Sequence, residues 1–238
     1  MSEIRTYETA EAVAKAAAEN AVEILKLAIE THGRASWVLA GGSSPMAAYR
    51  EVVANYSDAL DWSLVTVIMG DERMVPFDHK DSNWGSIMRI FDKNELTAAV
   101  QRLVPDTTIS TDLAAQHYET AISATQFDRF DLVWLGVGED GHTLSLFPGH
   151  PGFVDSPSGW VIPIYDSPKP PSERITLSLR ALEHVQELVI FAVGASKMPI
   201  LKHARLKGGL PIAVAAEVTE TFGGEVRWLY DDAAWGEK

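Results

Sequence analysis

Residues 130–143 read FDLVWLGVGEDGHT, where an apolar run (130–138) ends in glycine and is followed by two acids and a histidine. The same arrangement recurs where SWVLA (36–40) precedes GGSSP, where LVTVIM (64–69) precedes GDER, and where ELVIFAVG (187–194) precedes ASK. Each run has the length of a buried strand, and the glycine after it indicates a tight turn. These stretches therefore predict strands with polar residues at their carboxyl ends.

Helical patterns separate the predicted strands. Apolar residues at helical spacing predict a long helix over about residues 8–32, which Gly33 would end. Further helices are expected to start near Pro45 and to cover about residues 113–125 and 197–206. Short strands that alternate with helices are typical of a mostly parallel sheet flanked by helices on both faces. The sequence thus predicts an α/β fold.

Four shorter segments complete the expected elements. Additional strands are predicted at residues 102–104, 160–165, 174–179 and 226–230. Seven prolines lie between Pro148 and Pro171, which favours an ordered loop around one strand over a long helix. No internal repeat is present, so we expect residues 1–238 to form one domain.

The charge and composition exclude several kinds of partner. The chain carries 33 Asp and Glu against 20 Lys and Arg, a formal net charge of −13, whereas nucleic acids and anionic membranes require clustered cations. The absence of cysteine excludes disulfides and thiolate chemistry. Neither a signal peptide nor an apolar segment of about 20 residues is evident, so a cytoplasmic protein is expected.

Ligands of open parallel sheets bind beyond the carboxyl ends of the strands, where the polar clusters of this chain fall. In the first cluster, Gly41 and Gly42 allow close backbone approach, and Ser43 and Ser44 precede a helix whose N-terminus attracts anions. The alternative is an ordinary turn in which a serine caps the helix ahead of Pro45. The segment matches neither the P-loop nor the nucleophile-elbow pattern.

The second cluster places Asp71, Glu72 and Arg73 directly after a buried strand. Charges there are costly unless they meet partners or a ligand. Arg73 is suited to gripping a phosphate, with Asp71 facing sugar hydroxyls or a reacting proton. A surface ion pair between Asp71 and Arg73 is the alternative.

The third cluster contains His142, which we expect near the start of a short helix. The helix dipole would lower the pKa of His142, whereas Glu139 or Asp140 would raise it, and a neutral imidazole is suited to act as a general base. Backbone N–H groups around Gly138–Gly141 are candidates for holding an oxyanion, as is Arg73. The alternative is a histidine that only caps the helix.

Lys197 is expected in the first turn of the helix over residues 197–206, where the helix dipole disfavours a cation. A bound anion would compensate, and so would exposure to water. An anionic substrate would need such local cations and N–H groups against the negative surface. The histidines show no metal-ligand spacing, so no metal is expected.

Five segments, in this order, resemble the 6-phosphogluconolactonase family, which shares a superfamily with the glucosamine-6-phosphate deaminases. The GDER segment and GHTLSLFPG follow the lactonase pattern, whereas the deaminases would show GDEY and GHIAFNEPG. The matching segments are LAGGSSP (39–45), GDERMVPFDHKDSN (70–83), LGVGEDGHTLSLFPG (135–149), SPKPPSERITLSLRAL (167–182) and VGASK (193–197).

The resemblance implies a three-layer α/β fold, hydrolysis of 6-phosphogluconolactone in the oxidative pentose phosphate pathway, and no cofactor. It makes His142 the acid/base catalyst, with Asp71 and Asp140 as further catalytic residues. The implied substrate- and phosphate-binding residues are Gly41, Gly42, Ser43, Ser44, Arg73, Asn83, Gly138, Gly141 and Lys197.

The expected partner is a phosphorylated sugar lactone, bound by a monomer or a small homo-oligomer. Direct attack of water on the lactone carbonyl, assisted by His142, is the mechanism we expect. Two other functions remain open at this point. They are deamination of glucosamine 6-phosphate and non-catalytic sensing of a sugar phosphate.

Overall fold

The computed structural model describes residues 2–155 and 158–236. Ten strands are present in this part of the chain. They are β1 (Glu3–Tyr7), β2 (Ala35–Leu39), β3 (Val65–Met69), β4 (Asp71–Arg73), β5 (Gln101–Leu103), β6 (Phe130–Gly136), β7 (Val161–Ile164), β8 (Arg174–Leu177), β9 (Val185–Ala192) and β10 (Glu225–Asp231).

Nine α-helices connect the strands of the described residues, and three short 3₁₀ turns lie at residues 62–64, 179–184 and 195–197. The helices are α1 (Ala10–His32), α2 (Ser43–Asn55), α3 (Asn83–Phe91), α4 (Glu95–Ala98), α5 (Thr111–Ala124), α6 (Pro151–Val154), α7 (Met198–Lys207), α8 (Pro211–Thr221) and α9 (Asp232–Trp235).

Seven strands form a wholly parallel sheet in the order β1-β10-β9-β6-β2-β3-β5. Every residue of β2 and β3 is buried. Because successive strand residues point to opposite faces, both faces of the sheet centre are covered. The predicted three-layer α/β fold is confirmed.

The other three strands form a separate antiparallel sheet in the order β4-β8-β7. The predicted strands around residues 160–165 and 174–179 lie here, the first within the proline-rich loop as expected. Residues 156 and 157 of that loop lie outside the described part. A single residue, Gly70, joins β3 to β4, so the chain passes directly from the large sheet into the small one.

Two buried tyrosines fix the ends of the central strands. The Tyr49 hydroxyl of α2 accepts from the N–H of Ala40 at 2.9 Å and donates to its carbonyl at 3.1 Å. The Tyr118 hydroxyl of α5 donates to the carbonyl of Met69 at 2.8 Å. Tyr49 also packs among aromatic rings such as Trp134, at a centroid distance of 5.0 Å. The two hydroxyls therefore hold the backbone where the loops after β2 and β3 begin.

The N-terminal segment differs from the sequence expectation, because β1 adds an edge strand beside β10 that no apolar run predicted. Four of its five residues are exposed, so it lacks the signature of a buried strand. The long helix begins at Ala10, where the Thr9 hydroxyl accepts from the N–H of Ala12 at 3.2 Å. No helix among the described residues is long and apolar enough to cross a bilayer.

Candidate active site

The carboxyl ends of β2, β3, β6 and β9 surround a cavity of about 360 Å³, which we call the main cavity. Ten of the residues predicted from the sequence line it. They are Gly41, Gly42, Ser43, Ser44, Asp71, Arg73, Asn83, Gly138, His142 and Lys197. Of the other two predicted residues, Asp140 contacts His142 directly, and Gly141 lies in the adjoining turn without lining the cavity.

The serine loop presents the N-terminus of α2 to the main cavity. Gly42 is the N-cap, with φ of 100°, and no side chain caps the helix. The alternative of a serine cap before Pro45 is therefore wrong, because Ser43 and Ser44 already lie inside the helix. The first helical bond runs from the Met46 N–H to the Gly42 carbonyl at 3.2 Å. The preceding N–H groups of Ser43 and Ser44 thus have no intrahelical acceptor and suit an anion.

Gly41 and Asn83 lock two of the loops together. A Cβ on Gly41 would lie 2.1 Å from Oδ1 of Asn83, so only glycine allows this approach. Nδ2 of Asn83 donates to the backbone carbonyl of Asp71 at 3.0 Å. Asn83, which is 5% exposed, therefore ties the loop after β2 to β4.

Successive side chains of β4 point to opposite faces, and this separates the three charged residues of the GDER segment. Asp71 and Arg73 face the main cavity, whereas Glu72 is fully buried on the opposite side. The Glu72 carboxylate accepts from the backbone N–H groups of Arg73 at 2.8 Å, Asn83 at 2.8 Å and Trp84 at 2.6 Å. It also accepts from the Ser82 hydroxyl at 3.1 Å. Glu72 therefore holds the start of α3 against β4.

Arg73 lines the main cavity and uses one of its donors within the protein. Its Nη1 donates to the carbonyl of Asp81 at 2.6 Å, and its buried Nε has no partner among the described residues. Asp71 accepts instead from the Ser145 hydroxyl at 2.7 Å. Within the described part of the chain, Asp71 and Arg73 form no ion pair, so the alternative of a surface pair is wrong.

His142 is paired through one ring nitrogen. Its Nδ1 hydrogen-bonds Oδ1 of Asp140, and the ammonium of Lys169 lies 3.2 Å from both that Nδ1 and Oδ2 of Asp140. The imidazole stacks on Phe147 at a centroid distance of 4.6 Å. Nδ1 is thus occupied by Asp140, and Nε2 is the nitrogen available for proton transfer.

The prediction of a helix starting at His142 is wrong. Gly141 and Leu144 have φ of 82° and 54°, and this left-handed backbone interrupts a right-handed helix. The segment forms turns and an isolated bridge between Thr143 and Leu146 instead. No helix dipole therefore acts on the imidazole.

The glycines before His142 serve the loop itself. The Gly138 N–H donates to the His142 carbonyl at 2.8 Å, and the Gly141 N–H donates to the Gly138 carbonyl at 3.0 Å. The N–H groups of Gly138 and Gly141 are thus bonded within the loop, although Gly138 still lines the main cavity. A Cβ on Gly138 would lie 1.9 Å from Nδ1 of His142. Gly138 is therefore required because the imidazole packs directly against it.

Burial and neighbouring charges set the protonation states of His142 and Asp140. Burial lowers the pKa of His142 and outweighs the opposing effect of Asp140, while Lys169 lowers that pKa further. Burial would raise the pKa of Asp140, but the hydrogen bonds from His142 and Lys169 lower it to about 2. At neutral pH the arrangement favours a neutral imidazole oriented by an ionised carboxylate.

Lys169 was not predicted to belong to the site. It lies in the segment SPKPP (167–171), which the buried Arg174 holds in place. Nε of Arg174 donates to the Pro171 carbonyl at 3.0 Å, and its Nη2 donates to the Lys169 carbonyl at 2.8 Å. The prolines on both sides of Lys169 are a sequence signal that this lysine is held rigidly. They do not indicate that it lies beside His142.

Lys197 lies at the N-terminus of α7, close to its expected position. Burial lowers the pKa of its ammonium, against the effect of Glu139. Together with Arg73, Lys169 and Arg174, it gives the main cavity four cations against the two acids Asp71 and Glu139. The lining is net positive in a chain of net charge −13, so an anion is locally attracted.

The fold and site define an α/β protein with an anion-attracting cavity and an acid–base pair at the carboxyl edge of a parallel sheet. Residues 8–228 match the family of glucosamine-6-phosphate isomerases/6-phosphogluconolactonase. The chain is 36% identical over 208 residues to 6-phosphogluconolactonase of Rattus norvegicus, which covers 85% of this chain and 80% of that protein. The chain therefore belongs to this family.

Solved structures show the same fold in both branches of the family. 6-Phosphogluconolactonase from Trypanosoma brucei superposes with a TM-score of 0.81 at 26% identity, over 98% of this chain and 97% of that one. A monomeric glucosamine-6-phosphate deaminase superposes with a TM-score of 0.79 at 17% identity, over 99% and 100% of the two chains. Because the two scores are so close, the fold does not separate the two activities.

Proposed function

We propose that this protein hydrolyses 6-phosphoglucono-1,5-lactone to 6-phosphogluconate, the second step of the oxidative pentose phosphate pathway. The observation that carries the proposal is the His142–Asp140 pair, placed in a cation-rich cavity. The relatives named 6-phosphogluconolactonase support the choice of substrate. A neutral base beside an anion-binding wall fits a phosphorylated lactone, whose carbonyl is already electrophilic.

In the proposed complex the phosphate binds between the serine loop, Arg73 and Lys197. The free N–H groups of Ser43 and Ser44 and the two cations supply charge-assisted hydrogen bonds. Anchoring the phosphate at one end of the substrate orients the lactone ring toward His142 and reduces the entropy lost in reaching the transition state.

The proposed reaction proceeds without a covalent enzyme intermediate. Nε2 of His142 removes a proton from water while the water oxygen bonds to the lactone carbonyl carbon. The tetrahedral intermediate then collapses, the bond from carbon to the ring oxygen breaks, and the imidazolium returns the proton to that oxygen. The products are a carboxyl group and a sugar hydroxyl, so atoms and charge balance.

Asp140 orients the imidazole and stabilises its protonated form during the reaction. The oxyanion of the tetrahedral intermediate needs a donor, and the N–H groups of Gly138 and Gly141 are occupied within the loop. Arg73 binds the phosphate at the other end of the substrate. We therefore assign the oxyanion to the remaining N–H groups of this loop, those of Glu139 and Asp140, which have no hydrogen-bond partner among the described residues.

The test is hydrolysis of freshly generated 6-phosphogluconolactone, corrected for its spontaneous opening. His142→Ala should lower kcat by about 10²–10⁴-fold, the usual contribution of a general base. His117→Ala, an exposed histidine on α5, is the control and should retain activity. Near-normal turnover by His142→Ala would remove the proposed role. Ammonia release from glucosamine 6-phosphate without lactone hydrolysis would overturn the proposed reaction.

A further inference from the structure

A second cavity, of about 710 Å³, opens beside the main cavity and shares Gly42, Arg73 and Asn83 with it. It lies between α2, α3 and the segment after β4, and we call it the cationic groove. Its remaining lining residues are Met46, Arg50, Lys80, Ser82, Ser86, Arg89, Ile90 and Lys93.

The charge of the cationic groove is opposite to that of the whole chain. Five of its lining residues are cations, and among the described residues that line it none is acidic, although acids outnumber cations by 33 to 20 in the sequence. Three of the acids close to these cations in sequence bond elsewhere. Glu51 accepts from Asn55 at 2.8 Å, Asp81 lies 3.6 Å from His79, and Asp92 pairs with Arg102.

The groove cations have no ionic partners in residues 2–155 and 158–236. Arg89 donates to the Ser86 hydroxyl at 3.3 Å, and Nε of Arg73 is buried without a hydrogen bond. Like charges gathered in one groove repel each other, so a bound polyanion would relieve this repulsion. The exposed Arg50, Lys80 and Lys93 leave the groove open to such a ligand.

We propose that the cationic groove binds a ligand with a chain of two or more phosphate groups, as in nucleoside diphosphates and triphosphates. A single phosphate would be satisfied by two or three cations, whereas the groove offers five. One terminal phosphate binds at Arg73, and the others extend toward Arg89 and Lys93. Because Arg73 also lines the main cavity, the ligand competes with the phosphate of a sugar substrate.

Direct binding tests the groove without relying on enzyme activity. Tripolyphosphate is titrated calorimetrically into the wild type and the double variant Arg89→Gln/Lys93→Gln at constant ionic strength. The variant should bind tripolyphosphate about tenfold or more weakly, since two charge-assisted contacts are lost. The control Lys15→Gln/Lys26→Gln removes the same charge from the exposed face of α1 and should bind as the wild type does.

Three results would overturn the proposal. The first is equal weakening in the control, which would indicate a response to net charge alone. The second is equal affinity for inorganic phosphate and tripolyphosphate, which would confine binding to one phosphate position. The third is a combined result: tripolyphosphate does not bind the wild type, and the groove variant loses kcat/KM at low salt. The groove would then only attract the anionic substrate toward the main cavity.

A second experiment measures competition between tripolyphosphate and the lactone, and unlike the titration it rests on the proposed function. Tripolyphosphate should raise the KM for the lactone without changing kcat, and the groove variant should weaken this inhibition by the same factor as the binding. If the protein lacks lactonase activity, the titration still decides whether the groove binds polyphosphate. The two proposals therefore fail separately.

Discussion

Replacing Lys169 with glutamine should move the acid limb of the pH profile of kcat/KM to higher pH. The ammonium lies 3.2 Å from Nδ1 of His142, where it disfavours the imidazolium. Asp140 and Asp71 act in the opposite direction and remain in the variant. Without the cation, the pKa of His142 rises, and the base becomes protonated at a higher pH than in the wild type.

The size of the effect follows from this distance. Lys169 is 44% exposed and His142 is 19% exposed, so the bulk-water dielectric gives the lower limit. At that limit two unit charges 3.2 Å apart interact by about 1.3 kcal/mol. That energy corresponds to roughly one pH unit. At the pH where half of the wild-type imidazole is neutral, about one-tenth would be neutral in the variant, so kcat/KM should be roughly fivefold lower.

The assay is lactone hydrolysis across the acid limb, with each rate corrected for spontaneous opening at the same pH. Lys169→Arg preserves the charge and should keep the limb near its wild-type position. Lys26→Gln, on the exposed face of α1, controls for the change in net charge. An unshifted limb in active Lys169→Gln protein would refute the electrostatic reasoning, and a change in kcat alone would assign Lys169 a different role.

Two further substitutions test what positions His142 and what holds α3 against β4. Gly138→Ala places a Cβ 1.9 Å from Nδ1 of His142, so kcat should fall by about 10²-fold or more as the base is displaced. Gly136 also lines the main cavity, but its added Cβ would make an ordinary contact, 3.7 Å from the Gly41 carbonyl. Gly136→Ala should therefore lose much less kcat than Gly138→Ala, and equal losses would contradict this account. Glu72→Gln puts an amide donor among N–H groups and should lower the free energy of unfolding by about 1–3 kcal/mol. Urea denaturation measures this change, and an effect no larger than that of the exposed Glu23→Gln would show that Glu72 does not hold α3.

The positions of the main site loops could be read from the sequence. A strand buried on both faces needs a continuous apolar run, and the glycines at the ends of these runs marked where each strand stops. Because parallel strands end at one edge of their sheet, the serine loop, Arg73, His142 and Lys197 were expected to converge there. The structure places all of them around the main cavity.

The backbone after β6 could not be predicted in the same way. Glycines and acids before His142 resemble the start of a helix, but Leu144 adopts a left-handed conformation that its residue type does not favour. The small sheet was likewise hidden, because β4 pairs with β8 about 100 residues later in the chain. Local patterns report burial and turns, whereas such pairings depend on the whole fold.

The sequence by itself determined the class of fold, the edge that carries the site, and the histidine at its centre, because these follow from local burial and from the geometry of parallel strands. Only the tertiary structure brought Lys169 to His142 and Asp140, through a proline-rich segment held by the buried Arg174. It also gathered cations from α2, α3 and the intervening loop into one groove. Contacts between distant segments are decided by packing, and packing produces no periodic pattern in the sequence.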